Sequence, residues 1–226
     1  GENEIALRFD LTVPLARYVS EHYNDLVFPF RRYHIAKVYR GESAQKGRFR
    51  EFYQCDIDII GDETLSIIND AEIPSIIYTI FKKLDFGKFL IKINNRKLIN
   101  GILESAGAEK SSREILRIVD KIEKIGKDEV EKMLLEAGIS KEVIEKLLQF
   151  LDIKGETKKV LESLENLKIN SEIFQTGISE LSLVAQYLNK LNVPESFYQI
   201  DLSIARGLDY YTGTVYETVL TNHPEI

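Results

Sequence analysis

Residues 31–60 read RRYHIAKVYRGESAQKGRFREFYQCDIDII, and their period decides the fold. Tyr33, Ile35, Lys37 and Tyr39 alternate with His34, Ala36, Val38 and Arg40, the two-residue repeat of a pleated strand. Farther on, Phe52, Gln54, Asp56 and Asp58 share one parity. Phe49, Glu51, Tyr53, Cys55, Ile57 and Ile59 share the other. Two strands are expected, from about Arg32 to Glu42 and from about Phe49 to Ile60. Residues 43–48 join them as a hairpin link longer than the commonest ones.

Outward from the hairpin, Thr12-Val13-Pro14 reads as a helix start with Thr12 as N-cap. A long apolar helix is expected from about Thr64 to Leu84, with Pro74 kinking it or breaking it in two. Residues 88–94 alternate again and read as a strand. Residues 95–194 carry helix signals in series. Ser111 and Glu114 match a capping box. Val130, Leu134 and Ala137 follow the spacing of a buried helix face, stopped by Gly138, and Val143, Leu147 and Phe150 repeat it. Another helix is expected from Ser171 to Leu191. Residues 198–202 and 214–219 return to strand. The pattern predicts an α+β fold in which a helical block, residues 95–194, is inserted between two parts of a sheet domain, residues 1–94 and 195–226.

The chain has 226 residues, 44% hydrophobic and 29% charged, the mix of a soluble globular protein rather than a disordered one. No apolar run approaches the length of a membrane span, and no secretory leader is visible. The single cysteine, Cys55, excludes a disulfide framework and fits a reducing compartment. A net charge of −6 gives no general attraction for nucleic acid, though a local basic patch still suits phosphate. The chain opens at Gly1 and stops at Ile226 in mid-pattern, so it is expected to be a piece of a longer protein.

Three anomalies point to chemistry. Arg31, Arg32, Lys37, Arg40, Lys46, Arg48 and Arg50 face one acid, Glu42, between residues 31 and 50. Arginines beside a loop are suited to grip phosphate with two parallel hydrogen bonds, and a solvated basic face is the alternative. Gln54, Asp56 and Asp58 line one face of the second strand. A carboxylate among Ile57, Ile59 and Ile60 is costly unless exposed or paired, so it is either a ligand acceptor or part of a wet face. Residues 206–213, Arg-Gly-Leu-Asp-Tyr-Tyr-Thr-Gly, form a turn-rich segment with adjacent phenols, of which only one faces a given site. There is no Walker loop, no dinucleotide fingerprint and no zinc spacing, and His22, His34 and His223 are scattered.

Tyr39-Arg40-Gly41-Glu42, followed by Gln45 through Gln54, resembles motif 2 of a class II aminoacyl-tRNA synthetase, in the version of the histidyl-tRNA synthetases. Arg206-Gly207-Leu208-Asp209-Tyr210-Tyr211 resembles a signature of that family and its close relatives. Leu7-Arg8-Phe9-Asp10-Leu11-Thr12 looks like the segment preceding motif 2. The resemblance implies an antiparallel class II sheet flanked by helices, with residues 95–194 as an all-helical insertion domain approaching the tRNA acceptor arm. It implies that Arg40 holds the α-phosphate of ATP, that Glu42 and Phe52 meet the adenine, and that Arg48 binds the outer phosphates. Asp10, Thr12 and Gln54 would orient the amino group and carboxylate of histidine. Asp58 and Tyr211, with Tyr210 beside it, would read the imidazole. Arg206 would stabilise charge at the α-phosphate opposite Arg40, and Mg²⁺ would accompany the pyrophosphate.

The same resemblance implies ATP, histidine and tRNA(His) as substrates, a cytoplasmic location, and a homodimer in the full-length protein. Motif 1, motif 3 and the anticodon-binding domain are expected outside residues 1–226, so this piece alone is expected to be inactive or weakly active. Two relatives give other readings. One is the non-catalytic regulatory subunit of ATP phosphoribosyltransferase, which commonly loses the ATP and catalytic arginines; Arg40, Arg48 and Arg206 are all retained here. The other is the synthetase-like module of a stress-sensing kinase, against which the intact histidine-reading residues argue.

Overall fold

Strand β1 (Phe30–Tyr39) pairs antiparallel with β2 (Glu51–Ile60), in a register that sets Arg32 opposite Asp58, His34 opposite Asp56, Ala36 opposite Gln54 and Val38 opposite Phe52. The computed structural model describes residues 5–43, 47–205, 207 and 210–223. Within it the chain divides into two compact units, Gly1–Asn69 and Asp70–Glu225.

In the first unit the hairpin has two unlike faces. The even-numbered residues form the sheltered face, and Val38 is fully buried there. Tyr33, Ile35, Tyr53 and Cys55 stand exposed on the other. The row of Gln54, Asp56 and Asp58 is therefore not a wet outer face; it lies on the more protected side. The strands are shorter at the hairpin end than their alternation suggests. They stop at Tyr39 and resume at Glu51, while one backbone bond from Arg40 N–H to Arg50 O, 2.9 Å, continues the pairing. The stretch before α1 (Thr12–Glu21) runs along β1: Tyr39 N–H donates to Arg8 O at 2.9 Å, and Arg8 Nε donates to Lys37 O at 2.7 Å.

Thr12 is not the cap of α1. It is already helical, and the carboxylate of Asp10 accepts from Val13 N–H at 3.1 Å instead. An acid at this place also suits the positive end of the helix dipole.

In the second unit β3 (Phe89–Asn95) is the central strand of three, parallel to β4 (Tyr198–Ile200) and antiparallel to β5 (Thr214–Leu220). The parallel pair departs from an all-antiparallel expectation. Its cause is topological, because a long crossover through helices returns β4 alongside β3 in the same direction. Helix α2 (Ile68–Lys83) is one helix and not two, with Pro74 inside it, and it starts four residues later than Thr64. Pro74 is the seventh residue of α2, past the N–H groups that are free at a helix start, and the Asp70 carbonyl that it leaves without an i+4 donor accepts from the Tyr216 hydroxyl instead.

The block between β3 and β4 holds α3 (Arg96–Ser105), α4 (Ser112–Val119), the single turn α5 (Ile122–Ile125), α6 (Lys127–Glu136), α7 (Lys141–Asp152), α8 (Thr157–Asn166) and α9 (Glu172–Lys190). Their apolar faces close on one core. Ile115, Leu116 and Val119 of α4, Val130 and Leu134 of α6, and Val143, Leu147 and Phe150 of α7 are all buried. Gly138, at φ 78°, ends the α6 segment as a left-handed stop while Ile139 N–H returns to Leu134 O at 3.0 Å. The Ser111–Glu114 box does not form. A 3₁₀ turn over residues 109–111 leads straight into α4, which leaves Ser111 out of the extended geometry a cap requires, and its side chain makes no cap bond. Gly101 on α3 lies against α9 so closely that a Cβ there would sit 2.6 Å from the backbone nitrogen of Phe174. Among the described residues no helix is long and apolar enough to cross a membrane.

Candidate functional site

The sheltered face of the hairpin is a strip of polar side chains set by register. At one end Arg32 Nε donates to Asp58 Oδ2 at 2.9 Å, with both side chains about four-fifths buried. The same guanidinium reaches His34 Nδ1 at 3.1 Å and Leu11 O at 3.3 Å. Guanidinium only donates, so Nδ1 of His34 accepts. Asp58 is thus paired across the strands, which satisfies a carboxylate flanked by isoleucines.

At the middle of the strip Gln54 Nε2 donates to both oxygens of Asp56, at 2.9 and 3.0 Å. Its carbonyl oxygen accepts from Arg40 Nη2 at 3.1 Å. Both ends of the Gln54 amide are therefore oriented by neighbours. Arg40 in turn lies between two aromatic rings, 4.9 Å from the centroid of Phe9 and 5.0 Å from that of Phe52. Its Nε also points to Phe9 O at 3.5 Å. Asp58 and Gln54 are four residues apart, about 13 Å along a strand. A single extended ligand can touch both.

Beyond Arg40 the hairpin end opens into a cleft of about 390 Å³ lined by Arg40, Glu42, Ser43, Gly47, Arg48, Phe49 and Phe52. This is within the size range of small-ligand sites. It has two arginines at its wall, phenyl rings for stacking and a carboxylate able to accept from an amine. The chemistry suits a nucleotide: an aromatic base against Phe49 or Phe52, phosphates against the guanidinium groups.

The basic run does not converge as a whole. Lys37 pairs with Glu51 at 2.6 Å, Arg31 donates to Asn69 Oδ1 at 2.9 Å, and Arg50 Nε donates to Glu42 O at 3.2 Å. Alternation sends Arg31 and Lys37 away from the strip. Arg40 and Arg48 reach the cleft; Lys46 lies outside the described residues. Phe9 and Asp56, which lie in the stretches quoted from the sequence without a role of their own, and Arg32 and His34, which no motif marks, complete the strip. Only the cross-strand register brings Arg32 to Asp58.

Asp10 and Thr12 stand at the start of α1, where one oxygen of Asp10 is engaged by the Val13 N–H. In the second unit Arg206 lies outside the described residues. Tyr210 and Tyr211 are described, with their rings edge to face at 5.2 Å between centroids and both phenols exposed. Tyr211 lies directly over Gly207, whose φ is +77°, and a Cβ on that glycine would come 2.0 Å from the ring. Among the described residues no three His, Cys, Asp or Glu side chains group as a metal cage.

Comparison with known proteins gives the family of the chain. The family model described as histidyl-tRNA synthetase matches residues 1–225. The chain belongs to the histidyl-tRNA synthetase family. It is 60% identical to the histidine–tRNA ligase of Clostridium tetani over 226 residues, all of this chain and 51% of that protein. The crystal structure of histidyl-tRNA synthetase from Nostoc superposes with a TM-score of 0.92 at 45% identity, over all of this chain and 53% of that one. The fold is thus the α+β class II core of this synthetase family. A Bacillus halodurans structure described as an ATP phosphoribosyltransferase regulatory subunit/histidyl-tRNA synthetase shares the fold, with a TM-score of 0.80 at 23% identity over 95% of this chain and 54% of that one. The chain spans about half the length of these relatives.

Proposed function

We propose that the protein carrying this chain is a histidine–tRNA ligase, which joins histidine to AMP from ATP and then to tRNA(His). The observation that carries the reading is the strip itself: Arg40, held between two rings and bonded to Gln54, stands at the mouth of the 390 Å³ cleft and on the same face as Asp58. Membership of the synthetase family supports it, as does 60% identity to a histidine–tRNA ligase, against a likeness of fold alone to the regulatory-subunit structure.

In this reading the cleft takes adenosine, with Glu42 and Phe52 at the base and Arg48 at the outer phosphates. Arg40 binds the α-phosphate. Gln54, Asp10 and Thr12 hold the amino group and carboxylate of histidine, and Asp58 and Tyr211, beside Tyr210, read its imidazole. The histidine carboxylate oxygen attacks the α-phosphorus in line, and pyrophosphate leaves with the bonding pair. Negative charge gathers on the α-phosphate oxygens, where Arg40 and, by its motif, Arg206 stabilise it. A terminal ribose hydroxyl of the tRNA then attacks the histidyl carbonyl, and AMP departs. No protein nucleophile is needed; positioning and charge carry the rate. Mg²⁺ would accompany ATP and neutralise charge on the leaving pyrophosphate. Residues 95–194 are read as the insertion domain that approaches the tRNA. The active protein is read as a cytoplasmic homodimer.

Calorimetric titration of the full-length protein tests this. Histidine and ATP–Mg²⁺ are each expected to bind. Asp58→Ala is expected to abolish histidine binding while sparing ATP, and Arg40→Ala to weaken ATP at least about tenfold. Histidine binding without ATP binding would favour the regulatory-subunit reading, and no binding of either would contradict both.

A further inference from the structure

Arg96 closes the base of the segment that bears Tyr210 and Tyr211. Its Nη1 donates to Ala205 O at 3.1 Å, and its backbone N–H donates to Gly213 O at 2.8 Å. One residue thereby grips both flanks. Asn94, two positions earlier on β3, donates from Nδ2 to Leu202 O at 3.2 Å and to Ile204 O at 3.0 Å. Its Oδ1 accepts from Asn95 N–H at 2.8 Å.

These polar residues are almost wholly enclosed: Asn94 is 4% exposed, Asn95 0% and Arg96 3%. A strand end that only had to fill a core would be apolar, because enclosing amide and guanidinium groups is costly unless each is bonded. Here the bonds go to two places. Asn94 and Arg96 hold the carbonyls on either side of the phenols. Asn95 serves the helices: its Oδ1 caps α3 through Lys97 N–H at 2.9 Å, and its Nδ2 donates to Glu180 of α9 at 2.7 Å. Lys97 pairs with the same Glu180.

Tyr210 N–H donates to Gly207 O at 2.6 Å, and the ring of Tyr211 rests over Gly207. Both phenols are exposed, so the gripped flanks on either side are a direct means of setting where they stand. A displacement of about 1 Å in such a group is enough to cost two orders of magnitude in rate.

We propose that Asn94 and Arg96 are positioning residues for histidine recognition, acting by fixing the segment that presents Tyr210 and Tyr211. This rests on the histidine-activating reading above. Neither side chain touches substrate; both act through the backbone of residues 202–213.

The test uses the full-length protein, with histidine-dependent ATP–pyrophosphate exchange and amide hydrogen–deuterium exchange read on the same variants. Arg96→Met is expected to raise the KM for histidine at least about tenfold while the KM for ATP stays within about twofold. Arg96→Lys, which keeps the charge and a donor, is expected to recover part of the loss. Both should speed deuterium uptake in residues 207–213. Glu180→Gln, which loosens only the helix side of the junction, is expected to leave the histidine KM unchanged. If Arg96→Met does not fold, Arg96→Lys carries the test alone. Equal rises in both KM values, or an unchanged histidine KM, would overturn the proposal. Unchanged deuterium uptake in residues 207–213 would overturn it even in a protein without exchange activity. Absence of exchange activity in the wild type would instead sink the histidine-activating reading, and the stated purpose of the bracket with it.

Discussion

Arg40 is a cation whose place is set by its neighbours. Phe9 and Phe52 flank its guanidinium, and Gln54 accepts one of its hydrogens. That support lowers the ordering cost of gripping an anion, and Lys has no planar fork to place between the rings. Gly207 is the second telling residue. It sits at φ +77° under the ring of Tyr211, with a Cβ position 2.0 Å from that ring. Gly207→Ala is therefore expected to displace Tyr211 and raise the KM for histidine about tenfold or more, with the ATP KM little changed. Steady-state exchange kinetics check it. At this scale the sequence made Arg40, Gln54 and Asp58 legible, because motif wording and strand parity single them out. Arg32 was legible only as one charge in a basic run. Its bond to Asp58 depends on a register of ten facing pairs that no local pattern states.

At the scale of elements, a helix start and a side-chain cap are separate things. Ser171 Oγ accepts from Phe174 N–H at 3.2 Å and donates to Glu104 Oε2 at 2.5 Å, in a nearly buried site. Ser111 makes no cap bond despite its matching Glu114. Ser171→Ala is expected to cost about 1–2 kcal/mol of stability and Ser111→Ala less than about 0.5 kcal/mol. Urea titrations of the two variants distinguish them, and equal costs would contradict the geometry. Thr12 teaches the same point: the cap position of α1 falls on Leu11, which makes no side-chain cap bond, and the Val13 N–H is met by Asp10 from one residue farther out. Spacing proposes a cap, but the backbone entering the helix decides it. The apolar faces of α6 and α7 were legible throughout, because burial there follows helical period alone.

At the scale of the whole molecule, two aspartates in the second unit give pH dependences of opposite sign. Burial raises the Asp201 carboxyl, but hydrogen bonds from Ser203 and Lys92 outweigh it and hold the group below its usual range. Its stabilisation is present above the unfolded carboxylate pKa and is lost as pH falls through the lower folded value, below about pH 4. Asp201→Asn is expected to cost about 1–2 kcal/mol at pH 7, after allowance for solvent screening, and to flatten that acid loss. Asp70 shifts upward, chiefly by burial and further by the charge of Glu180, against the hydrogen bond from Thr214. Folding favours its protonated form, so its contribution falls as pH rises from the unfolded value through the folded one. Asp70→Asn should melt no lower than wild type at pH 7. Thermal melts across pH 3–8 check both.

The helical block and its two flanking sheet segments were legible as a change of period from two to 3.6 and back. The parallel pairing of β4 with β3 was not, since direction is set by the path of the intervening chain and not by any strand's own residues.

The central claim is that one face of the hairpin serves both substrates, ATP at the Arg40 end and histidine at the Asp58 end. Histidine-dependent ATP–pyrophosphate exchange by the full-length protein tests it most directly. Arg40→Ala is predicted to lower kcat/KM for ATP by about 10²–10³. Asp58→Asn is predicted to raise the histidine KM at least about tenfold with the ATP KM preserved. Exchange that is absent from the wild type, or indifferent to both substitutions, would contradict the account.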